Sequence, residues 1–194
     1  MESRIRDILS RRKKVFIHDP AVIRAAVLIP LFRKEGQTHL LLTRRTETVA
    51  YHKKQISFPG GRQDPGEDLR ATALREAQEE MGIEPHDVTL LGELDDVCTF
   101  SSPFCISPFV GLIPYPYSFR LSRAEIEDII EIPLADFLHE AKFRQEFRER
   151  DGQLTPVYFF EHRGETIWGA TARILKQLVD FIAEEGGEEG RRDR

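Results

Sequence analysis

The stretch FPGGRQDPGEDLRATALREAQEEMG, from Phe58 to Gly82, constrains this chain more than any other. After a turn at Pro59, Gly60 and Gly61, a helix is expected from about Asp68 to Met81, with Gly82 as its C-terminal cap. Successive helical residues turn by about 100°, so Glu76, Glu79 and Glu80, at i, i+3 and i+4, project from one narrow arc. Ala73, Leu74, Ala77 and Met81 occupy a neighbouring arc, which would seat the helix on a sheet while the acids face a cleft. Like charges at i and i+4 cost an isolated helix roughly 0.2–0.5 kcal/mol per pair, and more in a partly desolvated site. A hard divalent cation offsets that repulsion, since it prefers oxygen ligands and is held by carboxylates together with substrate phosphates. A solvated acidic face is the other reading of the same glutamates. Gly60 and Gly61 permit close backbone approach, either aiming N–H groups at a ligand or steering the chain into the helix.

Around this segment, the 194 residues read as one domain spanning 1–194, with residues 1–20 as an N-terminal helical extension and 185–194 as a disordered tail. Ile5, Ile8 and Leu9 mark a short amphipathic helix between Ser3 and Lys14. Ala25 to Phe32 and Thr38 to Arg45 form a hairpin, followed by a loop to Ile56. Val88 to Val97 and Phe104 to Pro114 read as strands, and Ile129 to Ala141 as strand, proline and helix. Pro156 to His162 and Thr166 to Gly169 form a closing hairpin, with Arg144 to Gly152 as a decorating insertion. Ile174, Leu175, Leu178, Val179 and Ile182 form the apolar face of a last helix, Thr171 to Glu184. Hairpins with separated helices imply a mixed sheet covered by helices on both faces.

The formal net charge of -5 argues against a general grip on nucleic acid. Two basic groups, Arg11 to Lys14 and Arg44, Arg45, Lys53 and Lys54, read as solvated surface, although the second adjoins the acidic motif. Cys98 and Cys105 are too few for a disulfide framework, and the six histidines lack metal-ligand spacing. The N-terminus has no apolar signal core, and the longest apolar run is too short to cross a bilayer. A reducing, cytoplasmic setting is expected, with a small-molecule substrate and neither nucleic acid nor membrane as partner.

With its spacings, the acidic segment is Gly61, five residues, Glu67, seven residues, then Arg75-Glu76-Ala77-Gln78-Glu79-Glu80-Met81-Gly82-Ile83. It resembles the signature of the Nudix hydrolases, G-x5-E-x7-R-E-U-x-E-E-x-G-U with U aliphatic, at every fixed position; Ala77 is a small occupant of an aliphatic one. The resemblance implies an α/β class, the Nudix-type α/β/α sandwich with a mixed β-sheet between helices, and hydrolysis of a nucleoside diphosphate derivative with Mg2+ or Mn2+. It makes Glu76, Glu79 and Glu80 metal ligands, with Glu76 or Glu80 also deprotonating the attacking water. Glu67 would support the site from its loop, and Arg75 would either orient a glutamate or form a structural salt bridge. Glu125, Glu127 or Glu131 would supply a further ligand.

Upstream, LLTRRTETVAYHKKQISFPGG, Leu41 to Gly61, resembles the motif of the coenzyme A pyrophosphatase branch of that family. Leu41, Leu42, Thr43, Arg45, Phe58, Pro59, Gly60 and Gly61 match in register, whereas Thr46 replaces Ser or Ala, Ala50 replaces Arg and Lys54 replaces Gly. The resemblance implies cleavage of coenzyme A to 3',5'-ADP and 4'-phosphopantetheine, with Arg45, Lys53 and Lys54 as phosphate contacts beside Gly60 and Gly61. ADP-ribose, NADH or a damaged nucleoside triphosphate are alternative substrates, and a nucleotide-binding module without turnover is an alternative of another kind.

Overall fold

The first hairpin is apolar on both of its faces, which requires cover from two sides. The computed structural model describes residues 1–47, 54–100, 102–138, 143–150 and 152–192. In it, β1 (Ile23–Lys34) and β2 (Gln37–Arg45) pair antiparallel across a turn at Glu35 and Gly36, both at positive φ. The first half of β1 pairs instead with β4 (Gly60–Arg62), and its other edge runs parallel to β7 (Phe104–Leu112). β5 (Thr89–Glu93) and β6 (Val97–Cys98) pair with β7, while β3 (Ile56–Ser57) and β8 (Ile126–Pro133) pair with β2.

Alternation along these strands divides the core in two. On one side Ala26, Leu28, Phe32, Leu41 and Phe109 pack under α2 (Leu69–Met81) through Ala73, Ala77 and Met81. On the other, Ile29, Leu31, Leu40, Leu42 and Val110 meet α1 (Glu2–Arg11) and α4 (Gly169–Arg192). A short α3 (Leu134–Phe137) follows β8 and sends Phe137 into the same core. A second sheet of β9 (Phe143–Arg150), β10 (Gln153–His162) and β11 (Glu165–Trp168) closes this side through Phe160 and Ile167. The layered α/β architecture with a mixed sheet is the expected one.

Several local expectations change. The Pro-Gly-Gly turn leads straight into a strand, because Gly60 and Gly61 lie opposite Val27 and Ala26 and carry no side chain to obstruct the pairing. Residues 144–150 are no insertion: they form β9, in full register with β10. The backbone of α4 stays helical to Arg192, past the expected end at Glu184, since its glycines weaken a helix without blocking it as proline would. Cys98 and Cys105, too few for a framework, are joined in a single disulfide, because they face each other across the β6–β7 pair.

The basic run also has a structural task. Asp96, with a fully buried side chain, accepts from Ser107 (2.6 Å), Arg24 (2.8 Å) and the Ile17 amide (3.0 Å), and lies 3.3 Å from Lys14. Arg12 pairs with Asp95 at 2.8 Å. Burial opposes ionisation of Asp96, yet these donors hold its pKa below the usual carboxylate value. The segment after α1 is thereby strapped across the sheet.

Ile5 is 1% and Ile8 3% exposed, as buried as the central strands, so α1 is a core element and not an appendage. Ile5→Ala is expected to destabilise the fold by about 2–4 kcal/mol, a cost typical of a well-packed core. Urea unfolding of the purified variant measures it, and a loss well below 1 kcal/mol would show that α1 contributes little.

Candidate active site

α2 is fixed at both ends before its acids are considered. Asp68 caps the N-terminus by accepting from the Ala71 amide at 2.8 Å. Gly82 adopts the left-handed conformation at φ 70°, and the Gly82 and Ile83 amides reach the Gln78 and Ala77 carbonyls. Ala73 and Ala77, fully buried, let the helix approach β1 closely.

The three glutamates of the acidic arc stand at three depths. Glu79 has a 59% exposed side chain, Glu76 is half-buried, and Glu80 is 2% exposed. Arg75 binds the upper part of the arc: its Nη1 donates to Glu76 at 2.8 Å and to Glu79 at 3.2 Å. Its Nε donates to Glu67 at 3.0 Å, and its Nη2 reaches both Glu67 (3.2 Å) and the Arg62 carbonyl (3.1 Å). Orientation and ion pairing are therefore one arrangement. Thr72 also donates to Glu67, at 2.7 Å.

Arg45, at the end of β2, serves the floor. Its Nη1 donates to Glu80 at 3.1 Å and its Nη2 lies 3.5 Å from Glu125. The Gly60 amide, which the sequence offered to a ligand, donates to Glu80 at 3.3 Å. Glu125 comes from just before β8, where the Ser122 amide binds the Glu80 carbonyl and the Thr46 amide binds the Glu125 carbonyl. Gly61 is needed for space: a Cβ there would run into the Glu76 carboxylate.

Environment drives these chemically identical groups in opposite directions. The Arg75 hydrogen bonds hold Glu67 down at about 2. Burial raises Glu76 against the pull of Arg75. Burial, reinforced by the charges of Glu76 and Glu125, pushes Glu80 up to about 7 despite Arg45 and Gly60.

Among the described residues no three acidic, His or Cys side chains are already gathered as a ligand cage. Their oxygens are turned to Arg75 and Arg45 instead. The donor set still fits a hard divalent cation: it is all carboxylate oxygen, it is graded from rim to floor, and its deepest member is undercompensated by the guanidiniums.

The other candidates separate. Glu131 pairs with Lys34 at 2.7 Å, while Glu127 offers its carbonyl to Arg123. Lys54 forms an exposed pair with Glu47 at 2.5 Å, and Arg44 grips Glu165 of β11 bidentately at 2.8 and 2.9 Å. Lys53 and Ala50 lie outside the described residues. Sequence reading missed Thr72, although its position four residues before Glu76 puts it on the acidic face. Glu165 carried no local signal.

An acid whose proton is bound more tightly in the folded chain adds stability at low pH, and that contribution disappears as pH rises through its folded pKa. For Glu80 the window runs from 4.5 to about 7. In chelator-containing buffer the wild-type chain should lose on the order of 3 kcal/mol more than Glu80→Gln across it. Paired urea titrations at pH 5 and pH 8 read the difference, and equal pH slopes would refute the assignment.

Comparison with known proteins gives a consistent picture. Residues 22–150 match the NUDIX domain. The chain is 41% identical over 159 residues to the "Uncharacterized Nudix hydrolase NudL" of Photorhabdus laumondii, covering 81% of this chain and 84% of that protein. It is 38% identical over 161 residues to the protein of the same name from Yersinia pestis, covering 82% and 80%. A solved C. elegans Ap4A hydrolase binary complex superposes with a TM-score of 0.50 at 25% identity, covering 59% of this chain and 82% of that one. The chain belongs to the Nudix hydrolase family and is a pyrophosphohydrolase.

Proposed function

We propose that this chain hydrolyses the pyrophosphate bond of coenzyme A, giving 3',5'-ADP and 4'-phosphopantetheine, with Mg2+ or Mn2+ held by Glu76, Glu79 and Glu80. The observation that carries the substrate is the segment from Leu41 to Gly61, whose LLTRR and FPGG ends match the branch motif in register. The bound cation supplies positive charge that offsets the carboxylates and the phosphoanhydride oxygens as the nucleophile approaches. Glu80, on the floor of the site with its proton affinity raised by burial, takes the proton of the attacking water. Glu76 lies above it, aimed by Arg75 and by the room that Gly61 leaves. Glu67 holds Arg75 in place and is itself held ionised by it. Arg45 links Glu80 to Glu125, which adds a carboxylate from outside the box, and offers the substrate phosphate a guanidinium when it turns from either. Lys53 and Lys54 are the remaining phosphate contacts in this reading, Lys54 after leaving its exposed pair with Glu47.

A second reading has an observation in its favour: the superposed C. elegans protein is an Ap4A hydrolase, so a dinucleoside polyphosphate belongs beside ADP-ribose and NADH as a competing substrate. Hydrolysis of coenzyme A, ADP-ribose, NADH and Ap4A at equal concentration, with products separated by chromatography, decides among them. Coenzyme A should give the highest kcat/KM; preference for any of the others overturns the substrate assignment. Absence of metal-dependent products from every substrate would favour the binding module. Glu76→Gln and Glu80→Gln should each lower kcat by at least about a hundredfold with the far-UV spectrum unchanged. Near-normal kcat in either removes that residue from the mechanism.

A further inference from the structure

The second sheet has a face whose outer end the described residues leave uncovered. Cross-strand register puts Phe143, Phe147, Pro156, Tyr158 and Phe160 on one side of β9 and β10, with Leu154 diagonal to Phe147. Phe160 is buried in the core, but the outer end of this face is bare: Phe147 is 62% and Leu154 69% exposed. The opposite face protects itself. There Arg144 and Arg148 lie 4.1 and 6.0 Å from the Phe159 ring centroid, and Val157 and Phe159 are buried. Among the described residues β9 pairs with β10 alone, so its outer edge presents unpaired N–H and C=O groups along FRQEFRER. No proline blunts that edge.

We propose that two copies of this chain pair through β9, antiparallel about a two-fold axis at Phe147, so that two three-stranded sheets become one. A single-sign edge would repel its copy; this one is complementary to itself. In that register Phe147 meets the partner's Phe147 on the bare face, and Glu146 lies opposite the partner's Arg148 on the other, twice by symmetry. Glu146 already pairs with Arg144 and lies 3.7 Å from Arg148 within its own strand, so the exchange across the seam gains little per pair and the association is modest and concentration-dependent.

Sedimentation velocity of the full chain over a concentration series tests the pairing. Wild type should show a monomer–dimer equilibrium, and Phe147→Glu should raise its Kd by more than about tenfold while far-UV spectrum and kcat stay unchanged. Glu146→Arg should do the same by setting Arg against Arg, and the double change E146R/R148E should restore dimerisation. In the unsubstituted chain, amide exchange along β9 should slow as concentration rises. A wild type that stays monomeric at every concentration overturns the proposal, as do variants that dimerise like wild type or a double variant no better than E146R.

Discussion

Two guanidinium groups make the acidic cleft compatible with a folded chain. Glu67, Glu76 and Glu79 converge on Arg75, and Glu80 and Glu125 on Arg45. A lysine would not substitute for either, because the planar fork of arginine addresses several carboxylates at once without losing its charge. Their origins differ in a way that matters. Arg75 sits on α2 itself, so the upper cluster needs little beyond the helix and its preceding loop. Arg45 ends β2, Glu80 lies in the last turn of α2, and Glu125 precedes β8, so the floor exists only when helix and sheet are docked.

That docking explains the small residues under the helix. Ala73 and Ala77 are fully buried against the sheet, bringing the backbone of α2 close enough for the Gly60 amide to reach Glu80. The same closeness removes water from Glu80 and raises its pKa, whereas Glu67, better supplied with donors, moves the other way. A carboxylate that destabilises the metal-free fold at neutral pH is tolerated because the surrounding structure is overdetermined. The Asp68 cap, the Gly82 turn and the Ser122 amide on the Glu80 carbonyl each hold α2 independently of its acids.

What the sequence made legible follows the range of the interactions. The acidic helix, its cap residues, the first hairpin and the closing hairpin are local patterns, written in periodicity and glycine placement. The order of strands, the placement of Glu125 beside Arg45 and the pairing of Arg44 with Glu165 depend on contacts between distant segments. Composition gives no hint of these. The single disulfide is hidden for the same reason: two cysteines seven residues apart make no pattern until a hairpin sets Cys98 opposite Cys105. The basic run after α1 resembled solvated surface because its partners, Asp95 and Asp96, lie some eighty residues away.

The two faces of the sheet are not independent, and this gives the N-terminal helix its importance for a site it never touches. β1 contributes Ala26 and Leu28 beneath α2, and Ile29 and Leu31 to the opposite core with α1 and α4. Arg4 of α1 donates to the Ile182 carbonyl of α4 at 2.8 Å, and the Asp95–Asp96 strap holds the following segment down. Loosening that cover exposes one face of β1 and frees the strand to shift. A small displacement of β1 moves β4, which hydrogen-bonds to it, and with β4 go the Gly60 amide and the space at Gly61 that Glu80 and Glu76 require. The geometry of the cleft is thus set as much by apolar packing behind the sheet as by the charges in front of it.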